Sequence, residues 1–286
     1  MRQNSSSCNF STSDNWVILS NIEQSIKRKI ESIGTPLKEW DIQINYGIKT
    51  GFNDAFIIST EKRNEILNNC TSEEERKKTD ELIRPILRGR DIKRYSYEWN
   101  DLWLIATFPS RHYDIEDYPA VKSHLLSFGK ERLEQSGKKH KINGEDVKAR
   151  KKTNNKWFET QDSISYWDDF NKPKLVYPET TQGAFFAYDE KEIYIDKTCF
   201  MVTGKDEKTL VYLQKTLSSR LFEFAYKNIF SSIELGQNGF QYNKHALIKL
   251  PVSEEIIELP DNEEEINNIV YQIYNMCTEE INLIKS

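Results

Sequence analysis

The sequence YGIKTGFNDAFII, at residues 46–58, contains the turn from which we interpret the rest of the chain. Gly47 and Gly51 enclose a short segment, and the apolar run 55–58 that follows is typical of a strand. Glycine adopts positive φ and lets another backbone approach closely. The stretch therefore predicts a tight polar turn that leads directly into a strand.

The side chains on this turn are of the kinds that contact nucleic acid. Lys49, Thr50 and Asn53 provide an ammonium, a hydroxyl and an amide, which suit contact with a phosphate or a base edge. The same composition also suits an ordinary surface hairpin in an α+β domain. This stretch alone leaves both interpretations open.

Length and composition exclude several classes of protein. With 286 residues and 37% hydrophobic content, the chain can form one large or two small domains with a real core. No run approaches the roughly 18 apolar residues of a membrane span, and the N-terminus lacks the apolar core of a signal peptide. Four widely spaced cysteines favour reduced thiols in the cytoplasm over a disulfide framework or a zinc site. They are Cys8, Cys70, Cys199 and Cys277.

Charge is distributed unevenly along the chain. The formal net charge is −5, yet residues 253–286 alone contain nine acidic side chains and one lysine. Residues 130–156 contain ten Lys and Arg against four Asp and Glu. A basic patch on a balanced body, with an acidic tail held apart, is compatible with nucleic-acid binding. The Asn- and Gly-containing stretch 135–156 predicts a long loop, either simply solvated or an arm that follows phosphates.

Hydrophobic periodicity and helix caps predict alternating helices and strands. Helices are expected at residues 21–33, 61–69, 73–83, 118–134, 206–217 and 220–228. Strands are expected at residues 37–45, 55–58, 102–107, 174–177, 183–188, 192–195, 199–202 and 245–250. From Asn262, apolar residues recur near heptad spacing, which predicts one long amphipathic helix that leaves the body. This seam consists of Ile266, Val270, Ile273, Cys277, Ile281 and Ile284.

Catalytic motifs are absent from the sequence. It contains no G-x-G-x-x-G, P-loop, H-E-x-x-H or G-x-S-x-G pattern. Asp168 and Asp169 could serve as a metal pair, but beside Trp167 and Phe170 they favour turn residues or helix caps. We therefore expect no catalytic residue and no metal ligand in this chain.

Basic and amide side chains give a stronger indication of binding. The basic candidates for phosphate contact, besides the turn, are Arg88, Arg90, Lys93, Arg94, Lys148, Arg150, Lys151, Lys152 and Lys156. The amide candidates for base edges, besides Asn53, are Gln182, Gln237 and Asn238. Arg90 beside Asp91 also suits an internal salt bridge, and the Gly-flanked amides also suit an ordinary turn.

The order of several segments resembles a known family. These are GIKTGFNDAFII, ELIRPILRGRDIKRY, WLIAT, KWFE, KPKLVYPE, FAYDEKEIYIDKTCFMVTG, LQKTLSSRLFEF and HALIKLPV. In this order they resemble the C-terminal specificity (target-recognition) domain of type IIG restriction–modification enzymes and related DNA adenine-specific methyltransferases. The resemblance extends over residues 37–252, although Ser218 and Ser219 replace part of the family's pattern in the helix pair.

The resemblance implies a division of the chain. Residues 1–36 would link to a catalytic domain outside this chain, residues 37–252 would recognise DNA, and residues 253–286 would form an acidic helical spacer. The expected fold is α+β, with a twisted, mainly antiparallel sheet, peripheral helices and a long C-terminal helix. The methyltransferase domain, which in the family lies upstream and carries an (Asp/Asn/Ser)-Pro-Pro-(Tyr/Phe/Trp) motif, is not found here.

The resemblance also implies a function. The module would position double-stranded DNA in the cytoplasm for methylation of an adenine, with or without cleavage, by the upstream methyltransferase domain. S-adenosylmethionine, and magnesium where the parent cuts, would belong to the parent enzyme, and this chain would hold no cofactor. The alternative is a protein-interaction scaffold that holds catalytic subunits, or forms a homodimer, through residues 262–285.

Overall fold

The computed structural model describes residues 19–142, 144–231, 234–235 and 239–286. Helices are α1 Asn21–Ile33, α2 Asn53–Phe56, α3 Thr60–Asn68, α4 Glu73–Leu82, α5 Pro119–Leu126, α6 Lys130–Leu133, α7 Glu207–Leu217, α8 Arg220–Ala225, α9 Lys244–Leu247, α10 Glu263–Ile273 and α11 Thr278–Lys285. Strands are β1 Thr35–Pro36, β2 Ile42–Tyr46, β3 Ile57–Ser59, β4 Ile83–Leu87, β5 Leu102–Ile105, β6 Lys139–Ile142, β7 Glu145–Lys148, β8 Lys174–Pro178, β9 Thr180–Thr181, β10 Ala187–Asp189, β11 Tyr194–Ile195, β12 Cys199–Gly204, β13 Glu234–Leu235, β14 Gly239–Gln241 and β15 Pro251–Val252.

Two four-stranded sheets form the centre of the molecule. The first has the order β10-β8-β12-β2 and is antiparallel throughout. The second has the order β11-β4-β5-β3, and only its β11–β4 pair is parallel. The predicted α+β class with mainly antiparallel pairing is confirmed, although the strands of the described residues divide between these two sheets and three smaller ones.

The first sheet separates two hydrophobic cores. Successive side chains on a strand point to opposite faces. On β12, Phe200 and Val202 enter one core, which we call the helical core because α1, α7, α8 and α10 pack there. Cys199 and Met201 enter the other, which we call the sheet core because the second sheet lies against it. Both faces of this sheet are therefore buried, as the apolar runs at 174–177 and 199–202 indicate.

The 46–58 stretch crosses from the first sheet to the second. The Gly47 N–H donates to the Cys199 carbonyl (2.9 Å), and a Cβ atom at Gly47 would lie only 1.9 Å from the Asp196 carbonyl oxygen. Gly51 has φ +77°, in the left-handed region. Both glycines thus serve the turn for the predicted reasons. The strand expected at 55–58 is wrong in its first half, because α2 forms there before β3 begins.

Several other interior predictions differ from the structure; the strands expected at 37–45 and 183–188, for example, begin only at Ile42 and Ala187. The helix expected at 118–134 is interrupted at Gly129, whose φ is +85°, and becomes α5 and α6. The stretch 135–156 contains the β6–β7 hairpin rather than only a loop. The strand expected at 245–250 is the helix α9, which Asn243 caps by accepting a hydrogen bond from the Ala246 N–H (2.8 Å). Its apolar residues pack into the helical core, so the run is a buried helical turn.

The C-terminal segment is helical as predicted, but it is not one long helix that leaves the body. α10 and α11 are separated by Asn275, which has φ +52°. Ile266 and Val270 are buried in the helical core, and Glu280 pairs with Lys29 of α1 at 2.6 Å. The apolar spacing was correct, but the partner of the seam is this chain's own core. The division at residues 36 and 252 stays a prediction.

No membrane-spanning helix is found in the described part of the chain, because none of its helices is both long and apolar enough.

Candidate nucleic-acid interface

An open cleft of about 720 Å³ brings together residues from three segments of the chain. Its lining includes Arg88, Arg90 and Lys93 on one side and Gln182 and Phe185 on the other. These residues are distant in sequence, and only the pairing of the strands brings them together. We call this the first cleft.

The basic side of the first cleft is a short turn at the end of β4. The buried carboxylate of Asp91 accepts hydrogen bonds from the Arg88 N–H and the Asn100 amide, each at 2.8 Å. The Gly89 N–H donates to the Thr198 hydroxyl at 2.8 Å, which fixes the turn against the loop before β12. This frame leaves the Arg90 side chain 70% exposed at the cleft. The turn therefore presents cations from a rigid base.

The opposite side is formed by the chain that follows β8. Gln182 is exposed there, directly after β9, and Glu179 accepts a hydrogen bond from the Gln241 amide at 3.0 Å. β14 pairs with β9, with Phe240 opposite Thr181. A small three-stranded sheet thus supports this wall from behind.

Asp196 lies at the floor between the two sides. It is almost fully buried, and burial raises its pKa, while hydrogen bonds from Thr198 and the nearby charge of Arg88 act in the opposite direction. The lining contains three cations against the two carboxylates of Glu179 and Asp196. The exposed charge of the cleft is therefore mainly positive, which suits a polyanion.

A second cleft has a volume of about 480 Å³. Its lining includes Tyr46 and Lys49 from the 46–58 stretch and Gln161, Asp162 and Tyr166 from the segment before β8. Ile48, the neighbour of Lys49, forms a β-bridge with Asp196 of the first cleft. The backbone of the 46–58 stretch therefore connects the linings of the two clefts.

A comparison with known families identifies the family of this chain. The model of the TaqI-like C-terminal specificity domain matches residues 84–252. The chain belongs to this family. The match ends at the residue where the sequence resemblance ends, and it confirms the identification as a specificity domain.

Solved structures with the same fold include two restriction enzymes. The type IIG restriction endonuclease BpuSI is 12% identical with a TM-score of 0.50, and the match covers 90% of this chain and 28% of that one. The type IIL restriction–modification enzyme MmeI, solved in complex with DNA, is 13% identical with a TM-score of 0.50. This match covers 87% of the present chain and 35% of MmeI. This chain thus spans about a third of the length of either enzyme.

Arg150 is not available for the phosphate contact that its sequence position suggested. Its side chain is buried and its guanidinium donates to four backbone carbonyls of the specificity domain, at 2.7 to 2.8 Å. These belong to Leu133, Thr50, Glu159 and Trp157. Burial lowers its pKa to about 10, and Glu159 opposes this shift. Arg150 therefore joins three segments internally, and we correct its assignment.

Thr50 and Arg94 are also internal. Thr50 is buried, and its hydroxyl donates to the Asn53 amide oxygen at 2.7 Å. The Arg94 guanidinium donates to the Ser218 carbonyl at 2.6 Å and to Glu223 at 2.5 Å. Because their polar groups are already bonded within the fold, neither remains a candidate for DNA contact. Asn53 is exposed, although its amide oxygen is occupied by Thr50.

The remaining lysine candidates are exposed. Lys148 ends the β6–β7 hairpin, and Lys151 and Lys152 follow it. Lys156 is also exposed, with its ammonium 5.4 Å from the centre of the Phe158 ring. The predicted contacts Gln237 and Asn238 lie outside the described residues. The structure thus gathers Arg88, Arg90, Lys93 and Gln182 at one cleft and Lys49 at the next.

Sequence reasoning missed several polar lining residues. Asp162 and Tyr166 belong to a stretch with no motif and no periodicity, so no local signal singles them out. Their position depends on hydrogen bonds to the 46–58 stretch: the Asp162 N–H donates to the Lys49 carbonyl at 3.3 Å and the Tyr166 hydroxyl to the Tyr46 carbonyl at 3.0 Å. Only the fold reveals them.

Among the described residues, no group of three or more His, Cys, Asp or Glu side chains is arranged to hold a metal ion.

Proposed function

We propose that this specificity domain is the DNA target-recognition module of a type II restriction–modification enzyme or an adenine-specific DNA methyltransferase. It would position duplex DNA for methylation, with or without cleavage, by a catalytic domain outside this chain. The proposal rests on the convergence of Arg88, Arg90, Lys93 and Gln182 at one open cleft in a chain of the specificity-domain family.

Cations and amides would divide the work of DNA binding. Exposed Arg90 and Lys93, with Lys49 at the second cleft, would contact phosphates, which set affinity and register. Further phosphate contacts would come from four lysines in and after the β6–β7 hairpin, Lys148, Lys151, Lys152 and Lys156. Gln182, exposed on the opposite wall, has the amide chemistry that pairs with adenine in the major groove. Phosphate contact and base reading would thus come from opposite sides of one cleft.

The chemical step belongs, in this proposal, to the catalytic domain. S-adenosylmethionine would supply the methyl group there, and magnesium would be needed where the parent enzyme also cuts. The target adenine would be turned out of the duplex to reach that site, since enzymes that modify a base extract it from the stack. The module would act in the cytoplasm, where free thiols stay reduced.

The scaffold alternative receives less support. It requires an apolar seam at residues 262–285 that is open to a partner, but Ile266 and Val270 are buried in the chain's own core. Cys277 is exposed, so it does not continue the seam. A role in holding subunits would have to use another surface.

Salt dependence of DNA binding tests the proposal. Binding of duplex DNA by the full chain should weaken steeply with salt, because each neutralised phosphate releases counterions. Replacing both Arg90→Gln and Lys93→Gln should lower the slope of log affinity against log salt by about 0.9 for each phosphate that the protein no longer neutralises. Fluorescence anisotropy at several salt concentrations measures this slope.

Lys208→Gln is the matched control for this experiment. Lys208 is exposed on α7, which packs against the helical core and lines neither cleft. Its removal should leave the slope within error of the unsubstituted chain. An affinity that hardly changes between low and moderate salt would overturn the proposal.

A further inference from the structure

The Asp162 carboxylate lines the second cleft and is not used by the fold. It accepts no hydrogen bond from any residue in the described part of the chain, although it is half-buried. A carboxylate that is partly shielded from water gains from a hydrogen-bond donor. Such a group in an open cleft is poised for a donor from outside.

The backbone around Asp162 is held firmly, in contrast to its side chain. Its N–H donates to the Lys49 carbonyl at 3.3 Å, and its carbonyl accepts from the Thr160 hydroxyl at 3.1 Å. The Asn155 amide donates to the neighbouring Gln161 carbonyl at 2.8 Å. The backbone of Asp162 is therefore held in place, so only the short side chain has to be ordered on binding.

Two lysines offset the repulsion between this carboxylate and DNA. The charges of Lys49 and Lys151 both act on Asp162 and oppose the rise in its pKa that burial causes. Neither lysine forms an ion pair with it within 4.0 Å, or with any other acidic group of the described residues. Both lysines are exposed, so their ammonium groups are free to contact phosphates.

We propose that Asp162 is a specificity-determining residue that accepts a hydrogen bond from the exocyclic amino group of a base in the major groove. Cytosine N4 and adenine N6 present such donors, whereas thymine O4 and guanine O6 present acceptors that a carboxylate repels. Asp162 would thus select both by attraction and by exclusion. This inference rests on the proposed function, because it assigns a reading role within the same DNA-binding module.

The test begins by selecting bound duplexes from a random pool with the full chain, at a stated salt concentration. Every Watson–Crick pair places one such amine in the major groove, on adenine or on cytosine, so the selected motif supplies the candidate positions. At one of them, replacing cytosine by 2-pyrimidinone, or adenine by purine, should weaken binding about 10-fold. The same replacement at the other positions measures the effect of the Watson–Crick hydrogen bond that is lost with the amine. This arm uses the unsubstituted protein, so it does not depend on how any variant folds.

The Asp162→Asn variant supplies the second arm. Its amide offers both an acceptor and a donor, so the preference at that position should broaden while the rest of the motif is kept. Amine removal should weaken binding less in Asp162→Asn than in the unsubstituted chain, because this variant has already lost the interaction of the carboxylate with the amine. Asp168→Asn is the matched control, since Asp168 is exposed nearby and lines neither cleft.

The outcomes separate the two proposals. If the chain selects no motif, the proposed function fails and this inference fails with it. If a motif is selected, but it is unchanged in Asp162→Asn and amine removal has the same effect at every position, the inference alone fails.

Discussion

The role of Arg150 in the structure differs from the role that its sequence position suggests. In the sequence it is one of several basic residues in a lysine-rich stretch, which suggests phosphate contact. In the fold it is only 4% exposed, and its guanidinium donates to backbone carbonyls of distant segments, including that of Thr50. Arginine suits this position because its planar group offers several donors in a fixed geometry. The guanidinium group, which elsewhere suits phosphate, binds backbone carbonyls in this fold.

We expect Arg150→Met to destabilise the chain by about 3 kcal/mol, because it leaves buried carbonyls without hydrogen bonds. Denaturant unfolding measures the change. Lys151→Met, at the exposed neighbouring position, should change the free energy of unfolding by less than about 0.5 kcal/mol. If Arg150→Met instead keeps full stability and loses DNA affinity, the residue is a DNA contact and our correction is wrong.

At the scale of elements, the C-terminal helices show what a periodic pattern leaves undetermined. Heptad-like spacing from Ile266 indicates a helix with an apolar seam, but not what the seam packs against. In the structure, Tyr274 is buried at the end of α10 and its hydroxyl accepts from the Ser253 N–H at 2.7 Å. The turn at Asn275 then brings α11 back to α1. The tail closes the helical core instead of extending from it.

The seam should therefore matter for folding rather than for association. Ile266→Ala should destabilise the chain by about 3 kcal/mol, since it removes a buried side chain from a packed core. The oligomeric state, measured by sedimentation, should not change. Ile256→Ala, at a position 42% exposed just before the same helices, should be close to neutral. A variant Ile266→Ala that is as stable as the original but dissociates a dimer would restore the scaffold alternative.

At the scale of the whole molecule, the first sheet links the two cores. β8 contributes Leu175 and Tyr177 to the helical core and Val176 to the sheet core. β12 does the same with alternate residues. Because both cores pack against the first sheet, unfolding of this sheet in one core would expose the other core as well. The described residues should therefore unfold as one cooperative unit.

We expect a single unfolding transition in which both cores open together. Cys199 reports on the sheet core, where it is buried and where burial raises its pKa well above that of a free thiol. In a variant whose other cysteines are replaced by serine, reaction of the Cys199 thiol should follow the loss of helical circular dichroism. If the thiol reacts at a clearly lower denaturant concentration than that at which helical circular dichroism is lost, the two cores unfold separately.

Local patterns were sufficient to establish the α+β class, most helices with their caps, and the membership of the specificity-domain family. These features depend on periodicity, on caps such as Ser20 before α1, and on an ordered set of motifs. The roles of Gly47 and Gly51 were also predictable, because their backbone requirements are local.

Only the tertiary structure shows which polar groups are free to bind DNA. A basic residue in the sequence does not reveal whether its donors will be used by backbone carbonyls of distant segments, as the donors of Arg150 are. Nor does sequence reveal Asp162, whose significance is that no donor in the described part of the chain reaches it. Whether a polar group is satisfied depends on what the fold places around it, and that is set by contacts between residues far apart in the chain.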